Sequence, residues 1–248
     1  MTEIASAQNP RLKAVRRLHT RRGRLQSGRF VAEGEDLVDA AQAAGRPLLE
    51  GYRLAGSGLG GDGFHDVEAR ALASACTLGS GTRVLGVYEQ RWQAPAGPLC
   101  VYLHGVADPG NVGTILRSAL AFGASSVALG PGCADPHGPK AVRASMGAIF
   151  AVALARAGAV EELPGERVGL AADAQEPLRA PAHGEQRELT LLIGSERNGL
   201  PAEVRGACER LARIPIASES LNAAMAATVA LYEMTRRGGR DIDTVPAS

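Results

Sequence analysis

The sequence is poor in most features that assign a function at sight. Aromatic residues make up 4% of 248, lysine occurs only at Lys13 and Lys140, and there are four cysteines. Cys76, Cys100, Cys133 and Cys208 stand at least 24 residues apart, with no C-x-x-C pair and no paired histidine spacing. That spacing indicates no disulfide framework, and no metal is expected because nothing has zinc-ligand spacing. The four are read as reduced, mostly buried thiols. The longest apolar or glycine stretch, Met146 to Ala155, ends at Arg156, about half of what a transmembrane helix needs. No membrane span is expected. The first 30 residues hold no apolar h-region, so no secretory signal is expected there and the expected location is cytoplasmic. The phosphate-loop, zinc-protease and esterase patterns G-x-x-x-x-G-K-[ST], H-E-x-x-H and G-x-S-x-G do not occur. One textual match does: Gly56-x-Gly58-x-x-Gly61 fits the dinucleotide fingerprint. It is rejected, because the preceding Tyr52–Ala55 is short and polar and a fourth glycine follows at Gly63, which reads as a flexible loop.

What is present is unevenly placed. Apolar residues are 45% of the chain and the formal net charge is +1, a composition for one large domain or two modest ones with real cores. Residues 1 to 32 carry eight basic residues against one acid, a net of +7, and the remainder carries nineteen against twenty-five, a net of −6. Between residues 4 and 32 there is no acid at all. A solvated helix face usually mixes signs, so this arm reads as a polyanion contact.

Composition shifts at the glycine-rich stretch 54–63 and again at 91–98, a proline-punctuated run that carries the one tryptophan, Trp92. The domains expected are residues 1–92, a linker 93–98, and 99–248. In the first, patterning predicts a basic helix over 10–21, a strand at Phe30–Glu33, helices over 34–44 and 66–75, and a strand at Val84–Tyr88. In the second, strand-length runs alternate with helical patterns, as in βαβ units with a mostly parallel sheet. Strands are expected at Leu99–Leu103, Ser126–Leu129, Ile149–Leu154, Val168–Ala171, Leu189–Ile193 and Leu211–Ile214. A helix over 112–122 and a last helix from Asn222 to about Arg237 complete the pattern. The last has an apolar stripe of Met225, Val229, Tyr232 and Met234 and a basic, glycine-capped end at Arg236, Arg237 and Gly238.

Three segments put glycines and polar residues at the C-terminal ends of expected strands, the rim where open α/β sheets bind ligands. In the first, Asp108-Pro109-Gly110 makes a turn, Asn111 caps a helix or serves a site, and Arg117 follows. In the second, the strand breaks at Gly194 into a loop with Glu196 and Gly199, and a helix begins near Pro201. In the third, Ile214-Pro-Ile216 leads to Ser220, Leu221 and Asn222, where capping and substrate bonding are both open.

Asn-x-Gly-Thr-Ile-x-Arg at 111–117, Ile-Gly-x-Glu-x-x-Gly-Leu at 193–200, and Ile-Pro-Ile followed by Ser-Leu-Asn at 214–222 together resemble the three motifs of the SpoU/TrmH branch of the SPOUT methyltransferases. Asn9-Pro10-Arg11 with Gly28-Arg29-Phe30-Val31-Ala32-Glu33-Gly34 looks like the RNA-recognition domain many of these enzymes carry, related to a kink-turn-binding ribosomal protein fold. The resemblance implies a C-terminal α/β domain with a deep trefoil knot, the last helix tucked through the loop containing Glu196, plus a small N-terminal α/β RNA-binding domain. It implies methyl transfer from S-adenosylmethionine to a ribose 2′-hydroxyl of structured RNA, with 23S ribosomal RNA the expected substrate. A transfer RNA enzyme and a noncatalytic RNA binder of the same fold are the alternatives.

By the same resemblance Ile193, Gly194, Gly199, Ile214, Ile216, Leu221 and Asn222 would hold the cofactor. Asn111, Arg117, Glu196, Ser220 and Asn222 would be catalytic, in a homodimer with its active site near the subunit interface. The family gives the arginine matching Arg117 the role of a base. A guanidinium stays protonated on ordinary chemistry, so Arg117 reads first as a phosphate clamp and alkoxide stabiliser. Arg11, Arg16, Arg17, Arg21, Arg22 and Arg29 would grip RNA phosphates. With Phe30, Tyr52, Phe64 and Tyr88 the only aromatics nearby, recognition by shape is expected rather than by base stacking.

Overall fold

The computed structural model describes residues 3–77, 81–179, 188–217 and 220–236. Arg237 and Gly238, the expected cap of the last helix, lie outside them. The chain divides into two compact units, Met1–Arg91 with Val112–Arg117 and Ala134–Ala151, and Trp92–Asn111 with Ser118–Cys133 and Val152–Ser248.

The first unit is built on a four-stranded mixed sheet of β1 (Arg29–Glu33), β2 (Glu50–Leu54), β3 (Phe64–Val67) and β4 (Val84–Glu89). Its order is β1-β4-β2-β3, with β4 antiparallel to both neighbours and β2 parallel to β3. The basic arm forms two helices rather than the single helix expected, α1 (Pro10–Leu18) and α2 (Arg21–Ser27). Thr20 is the reason for the break: it is extended and its hydroxyl accepts from Gly23 N, capping α2. Gly23 is required there, since a Cβ would stand 2.0 Å from the Arg17 carbonyl oxygen. Leu12, Val15 and Leu18 bury one face of α1 beside Val31, Tyr52, Val67, Leu72 and Leu85. The helix expected over 66–75 is shorter, α4 (Ala69–Ala73), because 64–67 pair as β3; α3 (Glu35–Ala43) falls as expected. The Gly56 to Gly63 stretch connects two parallel strands and enters no helix, so it lacks the strand-to-helix setting a dinucleotide site needs.

Residues 134–151 belong to this unit and carry α6 (Pro139–Ala144) and α7 (Ala148–Ala151). The expected strand Ile149–Leu154 is therefore wrong in its first half. Met146 and Gly147 turn with φ of 48° and 90°, and one turn of helix follows. Phe150 then joins Phe30 and Tyr88 in a buried aromatic cluster, with ring centroids 5.7 and 4.9 Å away.

In the second unit seven strands form one wholly parallel sheet. They are β5 (Leu99–Leu103), β6 (Ser126–Leu129), β7 (Ala153–Arg156), β8 (Glu166–Leu170), β9 (Glu176–Pro177), β10 (Leu189–Ile193) and β11 (Arg210–Arg213), in the order β7-β6-β5-β10-β8-β11-β9. β5, β6 and β10 match expectation residue for residue; β8 and β11 begin one or two residues earlier, and β9 was not foreseen. Sequence order runs outward from β5 through β6 to β7 and resumes on the other side of β5 with β10 as its neighbour, so the connectivity reverses between β5 and β10. Crevices at such reversals are where doubly wound sheets bind ligands.

The last helix, α9 (Ala223–Arg236), turns a different side inward than expected. Its buried side is Ala223, Ala224, Ala227, Ala230, Leu231 and Met234, while Met225, Val229 and Tyr232 of the expected inward stripe are exposed. Small side chains let a helix approach closely, so the alanines pack inward and the larger apolar residues form an outer face. The thiols are less buried than expected. All four cysteines are free, but only Cys100 is fully buried; Cys76, Cys133 and Cys208 are half-buried. Burial still pushes the Cys76 thiol up to about 12. Among the described residues no helix is long and apolar enough to cross a membrane, and no three His, Cys, Asp or Glu residues are grouped to hold a metal.

Candidate active site

A cleft of about 1000 Å³ opens at the strand reversal of the second unit. The turn after β5 lines it with His104, Gly105, Ala107, Asp108 and Asn111, the turn after β6 with Gly132, and the loop after β10 with Ser195 to Gly199; Pro201 and Asn222 complete it. Each approach is glycine-dependent. Gly105 and Gly132 have φ of 68° and 75°, and a Cβ on Gly132 would stand 3.2 Å from the Gly105 Cα.

Asp108, not Asn111, caps the next helix, α5 (Pro109–Ala121). Its carboxylate accepts from the backbone N–H of Gly110 at 2.7 Å and of Asn111 at 3.1 Å, with Pro109 preset in the first turn. Because Asp108 does the capping, the Asn111 amide is released to the cleft. Its Nδ2 donates to Glu196 Oε1, and its Oδ1 accepts from Asn222 Nδ2 at 3.1 Å. Asn222 works in both ways the sequence left open. Its own Oδ1 accepts from Ala224 N and Met225 N at the start of α9 while its Nδ2 reaches Asn111. A continuous line Glu196–Asn111–Asn222 thus ties three separate chain segments and fixes both amide orientations.

The loop bearing Glu196 is closed on itself. Ser195 N donates to Gly199 O at 3.2 Å and Gly199 N donates back to Ser195 O at 2.9 Å. Gly199 sits at φ 62°, and a Cβ on Gly194 would stand 2.1 Å from the Gly199 carbonyl carbon. A side chain at Gly194 would collide with this backbone, and one at Gly199 would be strained by its positive φ.

The structure therefore brings Asn111, Glu196, Gly199 and Asn222 together. Arg117 is exposed on α5, and neither it nor Ser220 is among the residues lining the cleft. Ile193 is buried, Gly194, Ile214 and Leu221 are half-buried and Ile216 is exposed, and none of the five is part of the lining. His104, Gly132, Arg197 and Asn198 line the cleft and were not singled out from sequence; the signal for Gly132 was Gly130-Pro-Gly132 directly after a strand.

In the first unit the basic side chains separate by partner. Arg11 reaches His65 and Glu50, Arg16 donates to Ser74 and the Ala7 carbonyl, and Arg29 lies 3.8 Å from Glu50. Arg17, Arg21 and Arg22 are exposed and make no side-chain hydrogen bond or ion pair among the described residues. Arg24, in the same run, is only 4% exposed and holds Asp135 at 2.8 Å and the carbonyls of Leu18 and His19. Phe30, Tyr52, Phe64 and Tyr88 are all buried, so none offers a stacking face.

The sequence model of the SpoU rRNA Methylase family matches residues 98–232, and that of the MRM3-like substrate binding domain matches residues 9–59. The chain belongs to the SpoU rRNA methylase family. Its SpoU match spans every segment of the cleft, and the second match spans α1, α2 and the strands to β2. An uncharacterized tRNA/rRNA methyltransferase of Synechocystis is 32% identical over 96% of this chain and 94% of its own. The 23S rRNA (guanosine(2553)-2'-O)-methyltransferase RlmP of Bacillus subtilis is 28% identical over 94% of this chain and 99% of its own. Among solved structures, the AdoMet-bound rRNA methyltransferase from Sinorhizobium meliloti superposes with a TM-score of 0.83 at 31% identity, covering 95% of this chain and 97% of the other. The SpoU methyltransferase AviRb from Streptomyces viridochromogenes, in complex with AdoMet, gives 0.80 at 26% identity over 92% and 98%.

Proposed function

We propose that this SpoU protein transfers a methyl group from S-adenosylmethionine to a ribose 2′-hydroxyl of structured RNA, with 23S ribosomal RNA as its substrate. The observation that carries the reading is the Glu196–Asn111–Asn222 line at the β5/β10 cleft. The 23S specificity of the Bacillus relative, similar along nearly its full length, supports the substrate.

Of the residues expected to hold the cofactor, Ile193, Gly194, Gly199, Ile214, Ile216, Leu221 and Asn222, Gly199 and Asn222 line the cleft and Ile214 and Ile216 offer apolar surface. Ile216 is 40% exposed and Ile214 half-buried, an apolar ledge that an adenine ring can cover. Bound S-adenosylmethionine supplies an electrophilic methyl group. The protein must then align the ribose oxygen and stabilise its developing negative charge. Asn111 and Asn222 position the ribose through amide groups whose orientation is already fixed, and Glu196 orients Asn111. Ser220, exposed beside Asn222, adds a hydroxyl to that contact. Arg117 clamps the substrate phosphate and stabilises the alkoxide as a cation.

In this reading residues 1–92 bind RNA, 93–98 link, and 99–248 catalyse. The last helix passes through the Glu196 loop to make a deep trefoil knot, which the bond from Asn222 at the start of that helix to Asn111, itself bonded to Glu196, supports. The protein acts in the cytoplasm as a homodimer. The outer apolar face of α9, continued by exposed Leu120, supports the pairing, and an exposed Arg117 outside the cleft lining supports an active site near the subunit interface. Arg17, Arg21 and Arg22 grip RNA phosphates, joined by Arg11, Arg16 and Arg29 when their present partners yield.

Incubation with tritiated S-adenosylmethionine and total RNA from a host lacking the gene tests this, with the site mapped by blocked alkaline cleavage. One labelled position in 23S ribosomal RNA is expected. Label confined to transfer RNA would overturn the substrate, and cofactor binding with no label on any RNA or ribosomal particle would overturn the activity.

A further inference from the structure

One ionisable ring in the cleft has no task in the reading above. His104 directly follows β5, and its backbone N–H donates to the Ile193 carbonyl at 2.9 Å, fixing it to the start of the Glu196 loop. His104 is one of the residues lining the cleft, and its imidazole meets a buried phenol, with Nδ1 3.1 Å from the Tyr102 hydroxyl. Tyr102 is 1% exposed, and His104 is the one hydrogen-bond partner of its hydroxyl among the described residues. Room for that hydroxyl is made by Gly130, where a Cβ would stand 2.1 Å from it.

This arrangement decides the tautomer. Burial pushes the Tyr102 phenol up to about 12, with Cys133 and Glu162 adding to the effect, so it keeps its proton at neutral pH. A buried O–H with a single reachable acceptor donates to it, since leaving it unsatisfied is costly. Nδ1 of His104 is therefore the acceptor, and a neutral ring carries its proton on Nε2. Nε2 makes no hydrogen bond among the described residues and belongs to the edge turned away from Tyr102.

Resting on the reading of this cleft as the place where RNA is methylated, we propose that His104 is a positioning residue for the target nucleotide, presenting Nε2–H as a fixed donor to an oxygen of its ribose-phosphate backbone. It is a donor and not the base: in this tautomer Nε2 has no lone pair to take a proton from the ribose hydroxyl. Gly130, Tyr102 and His104 form one device, in which a missing Cβ admits a hydroxyl and the hydroxyl sets the ring.

Two measurements test it. Long-range ¹H–¹⁵N correlation on the labelled protein should show His104 as the Nε2–H tautomer, and Tyr102→Phe, which removes one oxygen, should mix the tautomers; an Nδ1–H ring in the unaltered protein overturns the proposal. Methylation of deproteinised 23S ribosomal RNA from a strain lacking the gene, at saturating S-adenosylmethionine, supplies the second. His104→Ala should lower kcat/KM for RNA about 10- to 100-fold, the range of one hydrogen bond to a charged group, with cofactor affinity by calorimetry unchanged. His104→Gln, whose amide N–H reaches a similar position, should restore most of that loss. A base would not be rescued by Gln, so failure of Gln together with loss in Ala overturns the donor role. Full activity of His104→Ala, or cofactor affinity falling in step with activity, also overturns it. If the unaltered protein labels no RNA, the functional reading itself falls, and this role for His104 with it.

Discussion

The cleft and the basic helices are both polar, and they are built on opposite plans. In the cleft, Glu196, Asn111 and Asn222 hold one another in a line, and the Asn222 side chain is also anchored at a helix start. On α1 and α2, Arg17, Arg21 and Arg22 are exposed with no partner among the described residues. Fixed groups impose geometry, which a displacement at one ribose oxygen needs. Loose cations impose little geometry and supply field, which suffices to hold a phosphate backbone and depends on salt.

The sharpest way to break the contrast is to remove charge where geometry matters. Arg117→Ala should lower methyl transfer by more than about 10³-fold, above the cost of one lost transition-state donor, while cofactor affinity by calorimetry stays within about threefold; full activity would end the proposed role. Arg24→Ala sharpens the contrast from the other side. Arg24 belongs to the basic run in sequence and to the fixed class in structure, holding Asp135 and two carbonyls while 4% exposed. Its loss should cost about 3–5 kcal/mol in urea unfolding, as breaking a buried pair does. The triple change Arg17, Arg21, Arg22→Ala should leave stability within about 1 kcal/mol. It should weaken RNA binding about tenfold at physiological salt and reduce the salt slope by about 0.7–0.9 for each phosphate no longer neutralised. An unchanged slope in a filter-binding titration would remove these residues from the RNA surface.

Much of this was legible beforehand. β5, β6 and β10 are short runs with both faces buried, and such runs announce parallel strands. The three motif segments could be placed at strand ends because Gly, Pro and Asn follow β5 and β10, and Pro215 and Asn222 follow β11. What was hidden concerns choices between residues of the same class. Asp108 and Asn111 are both good caps, and only the backbone decides that the aspartate wins and the asparagine is released. On α9 hydrophobicity pointed to Met225, Val229 and Tyr232 as the inward stripe, whereas packing distance selected the alanines. Eight basic residues in one run look alike in sequence; that Arg24 is interior follows from Asp135, 111 residues away. His104 could not be weighed at all without Tyr102 and Gly130, since its chemistry depends on a hydroxyl buried behind it.

The smallest expected effect tests whether fixing polar groups is itself a source of stability outside the cleft. Glu209 receives the Arg167 backbone N–H at 2.7 Å and its guanidinium through both Nε and a terminal nitrogen. That side-chain bond holds the Glu209 carboxyl down to about 2 against an ordinary 4.5. A carboxyl lowered on folding stabilises the native state fully above its unfolded value, and the contribution disappears as pH falls from about 4.5 through about 2. The pair is open to solvent, with side-chain exposures of 22% for Arg167 and 46% for Glu209, so screening limits its worth to about 0–1 kcal/mol. Glu209→Gln should therefore lower urea stability at pH 7 by no more than about 1 kcal/mol. The difference from the unaltered protein should shrink steadily between about pH 4.5 and pH 2, and at any pH when salt is raised to about 1 M. A constant difference across that range would mean that the amide disturbs β8 and β11 by packing and that the charge contributes nothing. In that case the value of fixed polar groups in this protein would lie in the cleft's geometry alone.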